Sequence, residues 1–388
     1  MKLTRDQFSE LCKQHVHLND IQAAAKELYD ADISLPSISL RRARLKAKGQ
    51  LPLDSGNSVQ SGEVLKGSST LYDADGNIKL QWVKSDVAKE DSLESFRTAV
   101  ESITESLVSH YSPVAPPQFN SSELTTFYPL PDLHFGLLIH GSESNHNYNW
   151  DLKHATEWVL GAMDSLVESS PSSQFAVITD LGDFLHFSDN SNTTTSGHQL
   201  DADGRMSKII NASFDITRAL IDKALTKHQF VYFYSVAGNH SEDVSIYLKA
   251  FLSAWYKDEP RVIVKTDHVA QQYHVFGKNI LGFTHGHELK PAKAGEVLVY
   301  DNQEIFSQSE YRYFHFGHLH SNHTTEGTLC TVEVHKNITP RDKWAESMGF
   351  RGTIGQAKSI TYHSEFGEIA RSIFNIKMLN QSEKELDE

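Results

Sequence analysis

In Val177-Ile-Thr-Asp-Leu-Gly-Asp-Phe-Leu-His186 a short apolar run turns abruptly into chemistry. Phe175 to Thr179 is apolar and β-branched, the composition of a buried strand. Gly182 allows a sharp turn, and Asp183 follows at the carboxyl end of the run. Open α/β sheets place their ligand sites at that end of their strands. One acidic loop after one strand is a weak signal, because such a loop often only caps the next helix. Four further stretches, each closing an apolar run, carry matching residues: Asp132-Leu-His134, Gly238-Asn-His240, His285-Gly-His287 and Gly317-His-Leu-His320.

The surrounding pattern is that of an α/β domain. From about Thr125, strand-like and helix-like segments alternate. Thr126–Leu130, Phe175–Thr179, Val231–Val236, Ile280–Phe283 and Tyr313–Phe316 read as strands, with Tyr273–Val275 forming a hairpin around Gly277-Lys278. Trp158, Val159, Ala162, Met163 and Leu166 give one helix an apolar stripe. Further helices are read around Ile209–Leu225 and Asp243–Tyr256. Residues 328–376 read as mostly β, with a hairpin at Glu365-Phe-Gly367. Pro129 and Pro131 remove donors from one side of the first strand, so that side is expected to lack a full ladder.

Upstream the pattern is different. Residues 1–50 read as helices: Phe8, Leu11 and Cys12 share a face, Asn19 caps a second helix, and Ser37 caps a third. The third is basic, with Arg41, Arg42, Arg44, Lys46 and Lys48. Helix, turn, basic helix is the outline of a helix-turn-helix, and these five residues are candidate DNA contacts. A plain helical bundle with a solvated charged face fits the same residues equally well. Gly49–Gly67 reads as a linker. Asp75-Gly76 marks a hairpin arm between Thr70–Tyr72 and Ile78–Val83. Leu93–Leu107 has helical spacing. The expected organisation is thus a helical domain at 1–50, linker, hairpin and helix at 51–123, a catalytic core at 124–325, its mostly β completion at 326–377, and an acidic tail at 378–388.

Composition narrows the class. The net charge is −14 over 388 residues, which argues against a protein that simply coats nucleic acid. Residues 1–53 hold nine Lys/Arg against six Asp/Glu and are positive, so the remainder carries −17. Cys12 and Cys330 form no disulfide framework, no signal-peptide core is seen, and no run reaches membrane-spanning length. A cytoplasmic protein without a membrane role is the expectation. Twenty-one histidines is a high number, and many stand at strand ends, where metal ligands would be needed.

The strand-end residues are oxygen and nitrogen donors with no cysteine among them. That mixture suits Mn²⁺, Fe²⁺ or Zn²⁺ rather than a thiolate-bound structural zinc. Asp132/His134 and His318/His320 are each two apart, so each pair can face one side of extended backbone. Two such pairs and a shared carboxylate suffice for two ions about 3.5–4 Å apart.

The order D-x-H, G-D-x-x-H, G-N-H, H-G-H, G-H-x-H resembles the calcineurin-like metallophosphoesterase superfamily over residues 125–325. His186, three after Asp183, is similar to the SbcD-type DNA repair nucleases. The whole layout resembles phage-encoded phosphoesterases with an N-terminal DNA-binding-like segment. The resemblance implies a two-sheet αββα sandwich and two divalent ions, Mn²⁺ first, with Fe²⁺, Zn²⁺ or Ni²⁺ as the other choices. By motif, Asp132, His134 and His320 would hold one ion, Asn239, His285 and His318 the other, and Asp183 would bridge. A metal-bridged hydroxide would attack phosphorus while His240 protonates the leaving oxygen, and His186 would orient His240 or the phosphate. His198 and Arg205, in the polar loop 188–206, are candidate substrate contacts. His287 is ambiguous, lying next to a ligand by motif.

Charge favours a diester. Two divalent ions against Asp132 and Asp183 leave a formal surplus that a phosphodiester anion and a hydroxide neutralise. The arginine that the protein-phosphatase branch carries after this motif is missing from Asp183-Phe-Leu-His-Phe187. The leading expectation is a metal-dependent phosphodiesterase acting on DNA. A second is an enzyme for small nucleotides or phosphoproteins, with the N-terminal segment used for assembly, including assembly as a homo-oligomer. A third, a DNA-binding regulator on an inactive scaffold, is disfavoured because all seven candidate ligands are present.

Overall fold

The computed structural model describes residues 4–15, 18–47, 63–72, 78–87, 113–143, 149–187, 200–240, 243–340 and 355–378. The helix read at Leu93–Leu107, His146, His198, Lys48, the segment Arg341–Trp344 and most of the acidic tail lie outside them. The chain divides into two units, Met1–Asp91 and Ser92–Glu388.

The first unit contains helices α1 (Arg5–Gln14), α2 (Leu18–Tyr29) and α3 (Leu35–Ala47). Thr4 and Gln7 close a capping box at the start of α1. Phe8, Leu11, Cys12, Ile21, Ala24, Ala25, Ala31, Ile38 and Leu45 form the core of the bundle. Two expected caps are displaced. Helix α2 already includes Asn19, and α3 begins before Ser37, whose hydroxyl lies 3.0 Å from that of Ser34. Pro36 explains the second shift, since proline is tolerated in the first helical turn, where its missing N–H has no partner to lose. Strands β1 (Glu63–Tyr72) and β2 (Ile78–Val87) form an antiparallel hairpin. The stretch read as linker therefore ends earlier than Gly67, which lies at a register shift within β1.

In the second unit, a six-stranded sheet runs in the order β13-β12-β3-β4-β5-β6 and a five-stranded sheet in the order β10-β11-β9-β8-β7. The strands are β3 (Ser121–Leu130), β4 (Ser173–Asp180), β5 (Phe230–Ser235), β6 (Val262–Val264), β7 (Gln272–Phe276), β8 (Asn279–Thr284), β9 (Tyr311–Phe316), β10 (His323–Glu326), β11 (Thr331–Val334), β12 (Gln356–His363) and β13 (Gly367–Asn375). Helices α4 (Leu152–Ser169), α5 (Met206–Leu225) and α6 (Val244–Trp255) cover the six-stranded sheet; α7 (Ala294–Asp301) lies on the five-stranded one, with α8 (Gln303–Gln308) following.

Three apolar layers make this a sandwich. One lies between α4, α5, α6 and the six-stranded sheet. One lies between the sheets, with Phe127, Val177, Tyr234, Leu281, Phe283 and Tyr362. The third packs α7 on β8, β9 and β11 through Ala294, Leu298, Ile280, Phe314 and Val332. This is the two-sheet αββα architecture expected from the motifs. Among the described residues no helix is long and apolar enough to cross a membrane. Helices α7 and α8 were not read from the sequence; both are short, and neither has the long apolar stripe that marks a helix.

The proline expectation is met. Strand β12 pairs with β3 only from Leu124 to Phe127, whereas β4 pairs with β3 as far as Leu130. Pro129 has no N–H to offer, and the ladder on the β12 side stops short of it.

Candidate metal centre

Strands β3, β4 and β5 are mutually parallel, as are β8 and β9. All five deliver their carboxyl ends to one edge of the sandwich, and the five motif loops leave from those ends. The β3 and β4 loops stay zipped beyond the sheet. Asp132 N donates to Gly182 O, His134 N to Asp183 O, Phe135 N to Phe184 O and His186 N to Phe135 O. Leu133, Phe135, Phe184, Leu185 and Phe187 anchor in the core, which leaves Asp132, His134, Asp183 and His186 for the site. Phe135 and Phe184 stack at 5.4 Å.

Six described residues other than glycine have positive φ: Asp30, Asp132, His134, Asp183, His318 and His320. Five of the six are predicted ligands. Left-handed backbone costs an L-residue roughly 1–2 kcal/mol, and such strain clusters where a site must hold a particular geometry. Two glycines are fixed by closeness, Gly182 by its φ of 90° as well. A Cβ on Gly238 would stand 2.1 Å from Asp183 Oδ1, and one on Gly182 would stand 2.5 Å from His285 Nδ1. Gly238→Ala should therefore displace Asp183, lose metal, and destabilise the fold by about 1–3 kcal/mol, as overpacking does. Calorimetric melting with and without Mn²⁺ checks this; an unchanged metal-induced rise in Tm would contradict it.

The donors fall into two groups. Asp132, His134 and His320 form one and Asp183, His285 and His318 the other, each with its ligand atoms within 4.8 Å of one another. His320 Nε2 lies 3.2 Å from Asp132 Oδ1. His285 Nε2 lies 3.1 Å from Asp183 Oδ2 and 3.0 Å from Asn239 Oδ1. His285 Nδ1–H donates to Leu181 O at 2.8 Å, so its Nε2 is the nitrogen left to face Asp183 and Asn239. Nε2 faces Asp183 Oδ2 and Asn239 Oδ1, so a proton on it in the metal-free protein, or a cation in its place, satisfies all three atoms. Asp132 is fully buried and accepts from His318 N at 2.8 Å. Thr339 Oγ1 donates to Leu133 O and Asn337 Nδ2 to Asp132 O, which braces the loop from behind.

The electrostatics agree with this placement. Burial disfavours a charged His285, but Asp183 and Asp132 outweigh it and lift its pKa to about 9. Burial likewise opposes charge on His320, and Asp132 raises its pKa nonetheless. Asp183 is held below the ordinary carboxylate range against its own burial, first by His285 and then also by His134. It therefore feels imidazoles of both groups, as a bridging ligand would. Burial lowers His318 to about 4, and burial with neighbouring imidazoles drives His134 well down. His134 and His318 thus already have the neutral form a metal ligand needs, while His285 would release a proton when an ion binds. Two carboxylates, four imidazoles and an amide, without thiolate, fit a pair of divalent cations. Asp132, His134 and His320 would hold one, Asn239, His285 and His318 the other, and Asp183 would lie between.

His240 and His186 sit beside the first group. His240 N donates to Asp183 Oδ1 at 2.8 Å. His240 Nδ1–H donates to the main-chain oxygen of His186 at 3.0 Å. His186 therefore orients His240 through its carbonyl. Its imidazole also stacks on that of His240, with ring centres 5.6 Å apart, and its Nδ1 is 3.3 Å from His134 Nδ1. Burial lowers its pKa to about 3, so it meets His134 as a neutral ring.

Arg205 is exposed at the N-cap of α5, and no contact between it and the metal donors is present among the described residues. His198 lies outside the described residues. Arg41 and Arg42 are on α3 of the other unit, where Arg41 lies over the Phe8 ring at 5.7 Å; Arg44 and Lys46 are on the same helix. His315 is wholly buried and bonded to His335.

Sequence reasoning missed Asp180. It is buried, accepting from Gly182 N at 2.9 Å and from Ser235 Oγ at 2.6 Å, so it ties the Asp183 turn to the end of β5. An aspartate ending an apolar run beside a glycine turn was the available signal, overshadowed by Asp183. Asn337 and Thr339 gave none.

No family model matches the chain, and no curated protein matches it. Several solved structures align. A conserved Streptococcus pneumoniae protein described as a predicted phosphoesterase is 11% identical, over 66% of this chain and 99% of its own, with a TM-score of 0.27. An archaeal phosphodiesterase is 12% identical, over 64% and 99%, at 0.30. A dimetal phosphatase from Danio rerio is 9% identical, over 65% and 99%, at 0.33. Likeness of this degree assigns neither activity nor substrate to this chain, whose two-sheet architecture and donor geometry stand on their own.

Proposed function

We propose that this protein is a divalent-metal-dependent phosphoesterase that hydrolyses phosphodiester bonds, with DNA as the substrate class and Mn²⁺ as the working ion. The observation that carries the reading is the convergence of Asp132, His134, His320 and of Asp183, Asn239, His285, His318 at one strand edge. Divalent ions held by such donors supply Lewis-acid charge at phosphorus and a nucleophile near neutral pH. The chain's own residues do the rest. Leu181 O holds His285 in one tautomer. The carbonyl of His186 does the same for His240, leaving Nε2 as the nitrogen that exchanges a proton with the leaving oxygen.

The diester preference rests on charge, because no arginine follows Asp183 to neutralise a phosphomonoester dianion. DNA is supported by the basic third helix. A second reading, a small-nucleotide diester, is favoured by the charge of −17 outside residues 1–53 and by Arg41, whose guanidinium packs on Phe8 within the bundle.

One panel separates these readings. With saturating Mn²⁺, wild type should cleave an aryl phosphodiester faster than an aryl phosphomonoester, and linear DNA faster than cyclic nucleotides. Equal or better monoester turnover would reject the diester assignment. Binding of DNA by the full chain should weaken steeply with salt, and Arg41→Ala/Arg42→Ala should flatten the slope. A slope that those changes leave untouched would remove α3 from the interface and leave the small-nucleotide reading.

A further inference from the structure

Outside the metal centre, the most heavily charged buried cluster spans the two sheets. Lys358 on β12 is 3% exposed and Glu333 on β11 is 3% exposed. Lys358 Nζ donates to Glu333 Oε1 at 2.7 Å. Arg371 on β13 donates to both Glu333 oxygens, at 2.7 and 3.0 Å. Buried ion clusters are weak sources of stability, because desolvation offsets most of their attraction. Specific placement is the better-attested reason to keep one.

The third bond of Lys358 shows what is placed. Its ammonium also donates to Asn322 Oδ1 at 2.6 Å. Asn322 is exposed and lies two residues beyond His320. The segment 317–322 carries His318 at φ 63° and His320 at φ 46°, so it needs restraint from both ends. At its start, His318 N is bonded to the Asp132 carboxylate and Leu319 N to Gly317 O. At its far end comes β10, whose residues are all exposed at the edge of the sheet. Among the described residues, the bond from Lys358 is the side-chain link that fastens this end to the body before β10 begins.

We infer that Lys358 and Asn322 are positioning residues for the His318–His320 segment, a buried strut by which the C-terminal strands set the metal donors. The inference rests on the two-ion reading given above. Glu333 and Arg371 hold the ammonium in place, and the ammonium holds the loop.

The test is Mn²⁺ binding to the full chain by titration calorimetry, with metal content after dialysis measured in parallel. Asn322→Ala removes the link while leaving Lys358, Glu333 and Arg371 together, and an exposed side chain puts folding at little risk. It should weaken one of the two ions roughly 10–100-fold, the range seen when a ligand's supporting contact is lost, with the Tm of the metal-free protein unchanged. Asn322→Asp keeps an acceptor for Lys358 and should restore the affinity. Lys358→Met should reproduce the loss of affinity and also lower the Tm. Two ions bound by Asn322→Ala as tightly as by wild type would overturn this inference alone, and so would an Asn322→Asp as weak as the alanine variant. A wild type that binds no divalent ion would overturn the two-ion reading and this inference with it.

Discussion

Asp183→Asn should empty the metal centre without unfolding the protein. The carboxylate stands 3.1 Å from His285 Nε2, accepts from His240 N and is held low by His134 as well as His285, so it couples the second donor group to the first and to the loop that carries His240. An amide keeps the shape and removes the charge. It also puts an N–H or a weaker acceptor opposite His285 Nε2, which already faces Asn239. Losing a supporting contact costs roughly 10–100-fold in metal affinity or activity; losing a shared ligand should exceed that, at about 10³-fold or more in kcat/KM with Mn²⁺ at the wild-type saturating level. Metal content after dialysis should fall from two ions per chain to one or none. The metal-free variant should melt no lower than the metal-free wild type, because a buried, strained acid serves the site rather than the fold. Two retained ions and a rate within tenfold of wild type would reject Asp183 as the bridge.

That residue also shows how far the chain could be read before its structure was known. The strand before Asp183 and the glycine turn are local features, and local features survive into the fold. The same holds for the other four motifs, because each is an apolar run ending in a donor. The way the motifs meet is a different matter. Zipping of the β3 and β4 loops depends on Asp132 N reaching Gly182 O across a parallel pair, and no periodicity encodes it. The left-handed backbone at Asp132, His134, His318 and His320 is likewise imposed by tertiary packing, since neither aspartate nor histidine demands it. Asp180 was hidden for the same reason: its partner Ser235 is on another strand. Pro129 was legible, since a missing donor acts on any neighbour. Pro36 was present in the sequence too, yet Ser37 was taken for the cap it displaces.

His240→Ala should separate chemistry from metal binding. The imidazole is held by its Nδ1–H on the His186 carbonyl and packs edge-on to His134 at 4.8 Å between ring centres. Its main-chain N–H, which bonds Asp183, survives the substitution, so both ions should remain. What is lost is the proton donor, worth about 10²–10⁴-fold. The loss should fall on kcat for a diester with an alkoxide leaving group, and nearly vanish for an aryl group acidic enough to leave unprotonated. His186→Ala should behave in the opposite way. It keeps the carbonyl that orients His240 and removes the ring that meets His134 at 3.3 Å and stacks on His240 at 5.6 Å. Its deficit should therefore appear in Mn²⁺ affinity and be largely relieved by excess metal, which leaves the His240→Ala deficit unchanged. Should excess Mn²⁺ rescue His240→Ala as well, or should that variant lose equal rate on aryl and alkyl diesters, His240 would be a metal-supporting residue and the proton would have to come from another group.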